Sequence, residues 1–214
     1  MNPVETRAKI LAATKALFGE LGVDATTTRD IAERSGVNKG LIHYHFGNKE
    51  DLLEALLDDY YQRLTARLVV ALAQRSGLQA QAADMVDAYA DFLAENLAFC
   101  SIVQREVVSG RHVARLVART LPSFQLASTW LAQAVPAASA RELTHVLTTI
   151  YGMIVTYFTY GRVLEQLVGA DPFGPAALAS RKAHVRRVVA LLIADLGAPS
   201  EASSHAASSQ GGAA

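Results

Sequence analysis

The sequence predicts an all-α protein of about nine helices. Three observations carry that prediction. No proline falls between residues 4 and 121. Ala, Leu, Arg, Glu and Gln dominate, and these side chains lose little freedom in a helix. Apolar residues recur every three or four positions, while the two-residue alternation of strands is rare.

The first helix is expected over Val4–Leu21, with Ile10, Leu11, Thr14, Leu17, Phe18 and Leu21 on one face and Gly22 as its stop. Thr26-Thr27-Thr28 opens a short second helix ending near Ser35; Thr27 with Asp30, or Thr28 itself, supplies the cap. Gly36 makes a turn, Asn38 caps a third helix ending near Phe46, and Gly47-Asn48 breaks the chain again. Asn48 then caps a long helix with Glu50 and Asp51 in its first turn, where acids suit the helix dipole. Leu52, Leu53, Leu56, Leu57, Tyr60, Leu64 and Leu68 form its apolar stripe. Ser76-Gly77 ends it. Further helices are expected at Leu78–Leu97, Phe99–Val108 and His112–Ala134, the last kinked or split by Pro122. Pro136 precedes a long apolar helix over Ala140–Val168. The loop Asp171-Pro172-Phe173-Gly174-Pro175 leads to a final helix over Ala176–Leu196. The small polar stretch 198–214 is expected to be disordered.

Composition narrows the function classes. With 51% hydrophobic and 19% charged residues, the chain has ample material for a core. Net charge is zero, so a nucleic-acid surface would have to be local. Residues 1–49 hold seven Lys/Arg against five Asp/Glu, only a slight basic excess. Cys100 is the single cysteine, which excludes an internal disulfide and any multi-cysteine metal site. The start lacks the apolar run of a signal peptide. The longest uncharged apolar stretch, Val146–Gly161, is short for a membrane span and carries four Thr and three Tyr. A soluble, cytoplasmic protein without membrane contact is expected. Cys100 and His112 are the one nucleophile–base pair to consider, and no phosphate-binding glycine loop, hydrolase elbow or metal-ligand cluster accompanies them. Neither an enzyme, a metal nor a cofactor is expected.

The informative segment is Thr27–Leu53, where two short helices meet at a glycine turn. Ile31, Ala32, Val37, Ile42 and Phe46 can share one small core, the arrangement of a helix-turn-helix whose second helix fits a major groove. That helix would display Lys39, Leu41, His43, Tyr44 and His45, side chains suited to phosphates and base edges. His43 and His45 diverge by about 200° on a helix and do not share a metal.

This segment resembles the DNA-binding domain of the TetR family across roughly Arg7–Leu57. The resemblance is carried by Phe18 and Gly22, Thr28-Arg29-Asp30-Ile31-Ala32, Gly36-Val37, Lys39-Gly40, Tyr44-His45-Phe46 and Asn48-Lys49-Glu50-Asp51-Leu52-Leu53. It implies an N-terminal three-helix DNA-binding domain over 1–49 and a helical ligand-binding and dimerisation domain over 50–197. It further implies phosphate contacts by Thr28 and Lys49 and a base contact by Arg29. Lys39, Gly40 and Leu41 are implied to make base or backbone contacts, and Tyr44 and His45 backbone contacts. His43 stands where the family often has Tyr, and Leu41 where it often has a small or hydroxylated residue, departures that bear on which operator is read.

The resemblance also implies a homodimer built from the last two helices, here Ala140–Val168 and Ala176–Leu196. The first is apolar around much of its girth, and Val185, Val188, Val189, Leu192 and Leu196 stripe the second. A small, largely apolar ligand would sit among the middle helices, with Met85, Tyr89, Phe92, Phe99, Phe124, Trp130 and Tyr151 as candidate lining. Arg105, Glu106, Arg111 and His112 are either contacts for a polar ligand group or solvated helix ends. The function expected is a repressor released from palindromic double-stranded DNA by such an effector. The alternative is an architectural or cell-division-type DNA-binding factor whose C-terminal part docks a protein.

Overall fold

The computed structural model describes residues 2–197, so the tail expected at 198–214 lies outside the described residues. Among the described residues there are ten helices and no strand, one helix more than the sequence suggested. Helix α1 (Pro3–Leu21) starts with Pro3, whose missing N–H costs nothing there, while the Asn2 side chain accepts from the Val4 N–H at 3.0 Å. Ile10, Leu17 and Phe18 are buried, but Leu21, expected on the same face, is exposed. Helix α2 (Thr28–Ser35) is capped by Thr27: its hydroxyl accepts from the Asp30 N–H, and the Asp30 carboxylate accepts from the Thr27 N–H at 2.8 Å. Thr28 is therefore the first helical residue and not the cap.

Gly36 closes α2 at φ +65°, a left-handed conformation that favours glycine. Asn38 caps α3 (Lys39–Phe46) by accepting from the Gly40 N–H at 2.8 Å. The Asn48–Asp51 pair makes a second reciprocal cap at the start of α4 (Lys49–Gln74). Then follow α5 (Leu78–Ala94), α6 (Leu97–Ser109), α7 (Val113–Ala134), α8 (Ala140–Thr159), α9 (Gly161–Val168) and α10 (Pro175–Leu196).

Two helix expectations change. Pro122 does not split α7, which runs continuously through it; Pro122 is exposed, as is Ala118, the residue whose carbonyl loses a donor. The helix expected over 140–168 breaks at Tyr160 instead. The reason is the following loop, which folds back onto the break. The Phe173 ring stacks on Phe158 at 5.6 Å and fills the space above Gly161, where any Cβ would overlap it. The Tyr157 hydroxyl donates to the Pro172 carbonyl at 2.5 Å, and the Arg181 guanidinium donates to the Met153 carbonyl at 2.5 Å.

One apolar core runs through all layers. Phe18, Ile31, Ile42 and Leu53 are fully buried at the N-terminal end, each contributing about 1.5–3 kcal/mol of burial. Helix α4 continues that core into the rest of the molecule, packing on α5 and α7, while α10 covers α5 and α8.

Candidate nucleic-acid interface and internal cavity

The surface presented by α3 follows from its burial pattern. Ile42 and Phe46 point inward, and the Arg7 guanidinium of α1 lies over the Phe46 ring at 5.1 Å. Lys39, Gly40, Leu41, His43 and Tyr44 are left exposed on the same short helix. Tyr44 is 81% exposed, a large aromatic with no packing role in the isolated chain. Leu41 is 38% exposed, an uncharged contact surface near the helix start. His45 is half-buried, edge-on to Tyr44 at 5.1 Å between ring centres.

Three expected contact residues already have partners. The His43 Nδ1–H donates to the Gly47 carbonyl at 2.6 Å, so one ring nitrogen serves the end of α3. The Lys49 ammonium donates to the Asp24 carbonyl at 3.1 Å, tying α4 to the loop after α1. Arg29 donates to Glu33 at 3.0 Å, but its side chain is 82% exposed, and such surface pairs are weak and exchangeable. Thr28 is half-buried in the first turn of α2, beside the cap. Hydrogen bonds from the Thr27 backbone, then its hydroxyl, hold the Asp30 carboxyl below its ordinary range, so the cap stays ionised.

A cavity of about 300 Å³ lies between α4, α5, α6, α7 and α8, with a small contribution from α10. Of the aromatic and methionine candidates, Met85, Tyr89, Phe124, Trp130 and Tyr151 line it. Phe92 and Phe99 do not, which corrects the expectation for both. Phe99 stacks on Tyr60 at 3.5 Å, and Phe92 packs edge-on to Tyr60 beneath the Arg63 and Arg67 guanidinium groups. Both rings are spent on joining α5 and α6 to α4. Sequence reasoning missed Tyr60 and Tyr61, which line the cavity from α4, and Gln104, Thr120 and Ser123. The adjacent pair Tyr60-Tyr61 within a leucine stripe was the available signal.

None of Arg105, Glu106, Arg111 and His112 lines the cavity. Glu106 and His112 form a buried pair at 2.5 Å that closes the α6–α7 turn. Arg105 donates to the Glu20 carbonyl at 3.2 Å, and Arg111 pairs with Asp24. With Lys15 donating to Asn96 at 3.1 Å, these contacts fasten the end of α1 to α6. Cys100 lines the cavity, and burial pushes its thiol up to about 12, which keeps it protonated and unreactive near neutrality. His112 is engaged with Glu106 and not with Cys100. No group of residues suited to a metal ion occurs among the described residues, and no described helix is long and apolar enough to cross a membrane.

Comparison with known proteins bears on both regions. Residues 10–56 match the model of the bacterial regulatory proteins, tetR family. The chain is 48% identical over 58 residues to the HTH-type transcriptional regulator TtgR of Pseudomonas putida, a stretch covering 27% of this chain and 28% of that relative. It is 31% identical over 169 residues to the tetracycline repressor protein class A from transposon 1721 of Escherichia coli, covering 77% of this chain and 68% of the repressor. Among solved structures, the fatty acid degradation regulator FadR from Bacillus halodurans superposes with a TM-score of 0.70 at 17% identity, over 88% of this chain and 94% of that one. The family model thus falls on α1–α4, while the fold is shared along most of the chain.

Proposed function

The chain belongs to the TetR family of bacterial regulatory proteins, and from that premise we propose that it is a cytoplasmic, sequence-specific DNA-binding transcriptional repressor, released from a palindromic operator by a small, largely apolar effector. The observation that carries the DNA-binding reading is α3: an eight-residue helix, rigidly capped at Asn38, that leaves Lys39 and Tyr44 exposed beside an otherwise buried face. A helix of this kind fits a major groove, with its first residues nearest the base edges. Lys39, Gly40 and Leu41 occupy that end; Tyr44 and His45 lie toward the backbone; Thr28, Arg29 and Lys49 flank it. Residues 1–49 form the DNA-binding unit and 50–197 the effector and dimerisation unit.

Two copies are needed to read two half-sites. The exposed stripe Ser180, His184, Arg187 and Leu191 of α10, with the outer face of α8, supports pairing through these helices. The cavity supports an effector over the architectural alternative, since a factor that only docks a protein needs no internal space.

The test is retention of random duplex DNA by the purified protein, followed by sequencing. A near-palindromic motif is expected, with half-site centres about one helical turn apart or a multiple of it. Its loss in the Lys39→Ala, Tyr44→Ala double variant would assign it to α3. No enriched motif from a folded protein would refute the reading.

A further inference from the structure

Residues 1–49 carry seven Lys/Arg side chains, and most of them are engaged within the chain. Lys9 pairs with Glu5 at 2.7 Å, and Arg29 with Glu33 and Arg34 with Glu20, each at 3.0 Å. Lys15 donates to Asn96 and Lys49 to the Asp24 carbonyl, each at 3.1 Å. Among the described residues, Arg7 and Lys39 are the two whose charged groups have neither an ion pair nor a hydrogen bond. Lys39 opens α3. Arg7 belongs to α1, outside the helix-turn-helix, and stands at the other end of α3.

Arg7 is exposed in the second turn of α1. Its guanidinium lies over the ring of Phe46, the last residue of α3, 5.1 Å from the ring centre. Such a stack uses the flat face of the guanidinium. The N–H donors lie in its plane and point outward along the edge, where they are left for an acceptor outside the chain. The stack also restrains a long side chain, so less freedom is lost when those donors engage.

The place of this cation decides what the acceptor is. A recognition helix with its first residues against base edges brings its last turn toward the rim of the groove, where the phosphates run. Phe46 lies about 10 Å along the axis from Lys39, at 1.5 Å per residue. Arg7 stands beside that last turn, next to Tyr44 and His45 in the chain of contacts Tyr44–His45–Phe46.

We propose that Arg7 is a phosphate-binding residue of the DNA interface: its guanidinium, held on Phe46 at the end of α3, donates to a backbone phosphate of the half-site. This rests on the DNA-binding reading of α3. It adds a contact from α1 that contributes affinity and carries no sequence information.

The test compares the parent with Arg7→Gln, which keeps a polar side chain and removes the charge. Both are titrated with the duplex motif that the parent selects, from 50 to 200 mM salt. The slope of log affinity against log salt is expected to be shallower in Arg7→Gln by about one for each half-site, about two for a dimer. Across that range of salt the parent's lead therefore shrinks about tenfold. The loss at any one salt concentration should be similar on a scrambled duplex. A cooperative thermal melt shows that Arg7→Gln is folded. A second readout separates a DNA contact from a packing role. Neutral methylphosphonate linkages are placed one at a time through the half-site. At one linkage the parent is expected to lose several-fold in affinity and Arg7→Gln to lose nothing further. An unchanged salt slope in Arg7→Gln, or losses that match the parent's at every linkage, overturns the proposal and leaves Arg7 as a stacking residue between α1 and α3. A parent protein that selects no motif defeats the DNA-binding reading itself, and the phosphate contact with it.

Discussion

At the scale of single residues, the exposed positions of α3 and the caps around it carry separable consequences. Lys39→Ala is expected to weaken binding to the selected motif and to relax the preference at the base pair it faces, as for a lost base-edge contact. Tyr44→Ala should also weaken binding with no loss of thermal stability, because the ring packs against little in the free chain. Thr27→Ala should act differently. It removes the α2 cap and costs about 1 kcal/mol of stability, a downward shift of about 2–4 °C in Tm. Alkaline pH provides a third test. Burial raises the Cys100 thiol from 9.0 and the Tyr61 phenol from 10.0, each to about 12. Between about pH 9 and 12 the unfolded chain therefore releases protons that the native state retains. Stability is full below pH 9 and falls across that window. Urea midpoints measured from pH 8 to 11 should drop, and Cys100→Ala should flatten the fall. The sequence made the exposed face of α3 legible because helical spacing alone separates Ile42 and Phe46 from Lys39, Leu41 and Tyr44. It did not reveal that His43 and Lys49 bond Gly47 and Asp24, since those carbonyls are oriented by the fold and not by side-chain type.

At the scale of elements, the helix boundaries were mostly legible from punctuation: Gly22, Gly36, Asn38 and Asn48 stop or cap helices through chemistry local to a few residues. The break after α8 was not, because its cause is a ring twelve residues further along the chain. Gly161→Ala should test that cause. The added methyl would meet Phe173, and overpacking of this kind costs about 1–3 kcal/mol; pairing it with Phe173→Leu should recover part of the loss. Likewise, Phe92 and Phe99 have the same helical spacing as true cavity residues, and only the position of Tyr60 and of the Arg63 and Arg67 side chains assigns them to the core. The α1–α6 seam makes a further prediction. Arg105 and Arg111 join α6, one wall of the cavity, to the α1 end that precedes the helix-turn-helix. Arg105→Ala with Arg111→Ala should leave effector binding intact, measured by Trp130 quenching, and diminish the change in DNA affinity that the effector produces.

At the scale of the whole molecule, the exposed helix α3 and a partly open apolar cavity belong to one chain whose core is continuous between them. The N-terminal end was readable in detail because its caps, glycine turns and apolar spacing are set by residues close together in sequence. The cavity was readable only in outline, since many apolar sequences build one and its shape depends on five helices packing together. What joins the two ends is a thermodynamic claim: the effector and DNA favour different arrangements of the same dimer, so each weakens the other by one factor. The direct test is to titrate the same ligand, followed by Trp130 fluorescence, into free protein and into protein saturated with the duplex motif it selects. Ligand binding to the DNA-bound form is expected to be weaker, by the factor with which saturating ligand lowers DNA affinity, and couplings of this type span about 5- to 150-fold. Equal ligand affinity in the free and DNA-bound forms would contradict it.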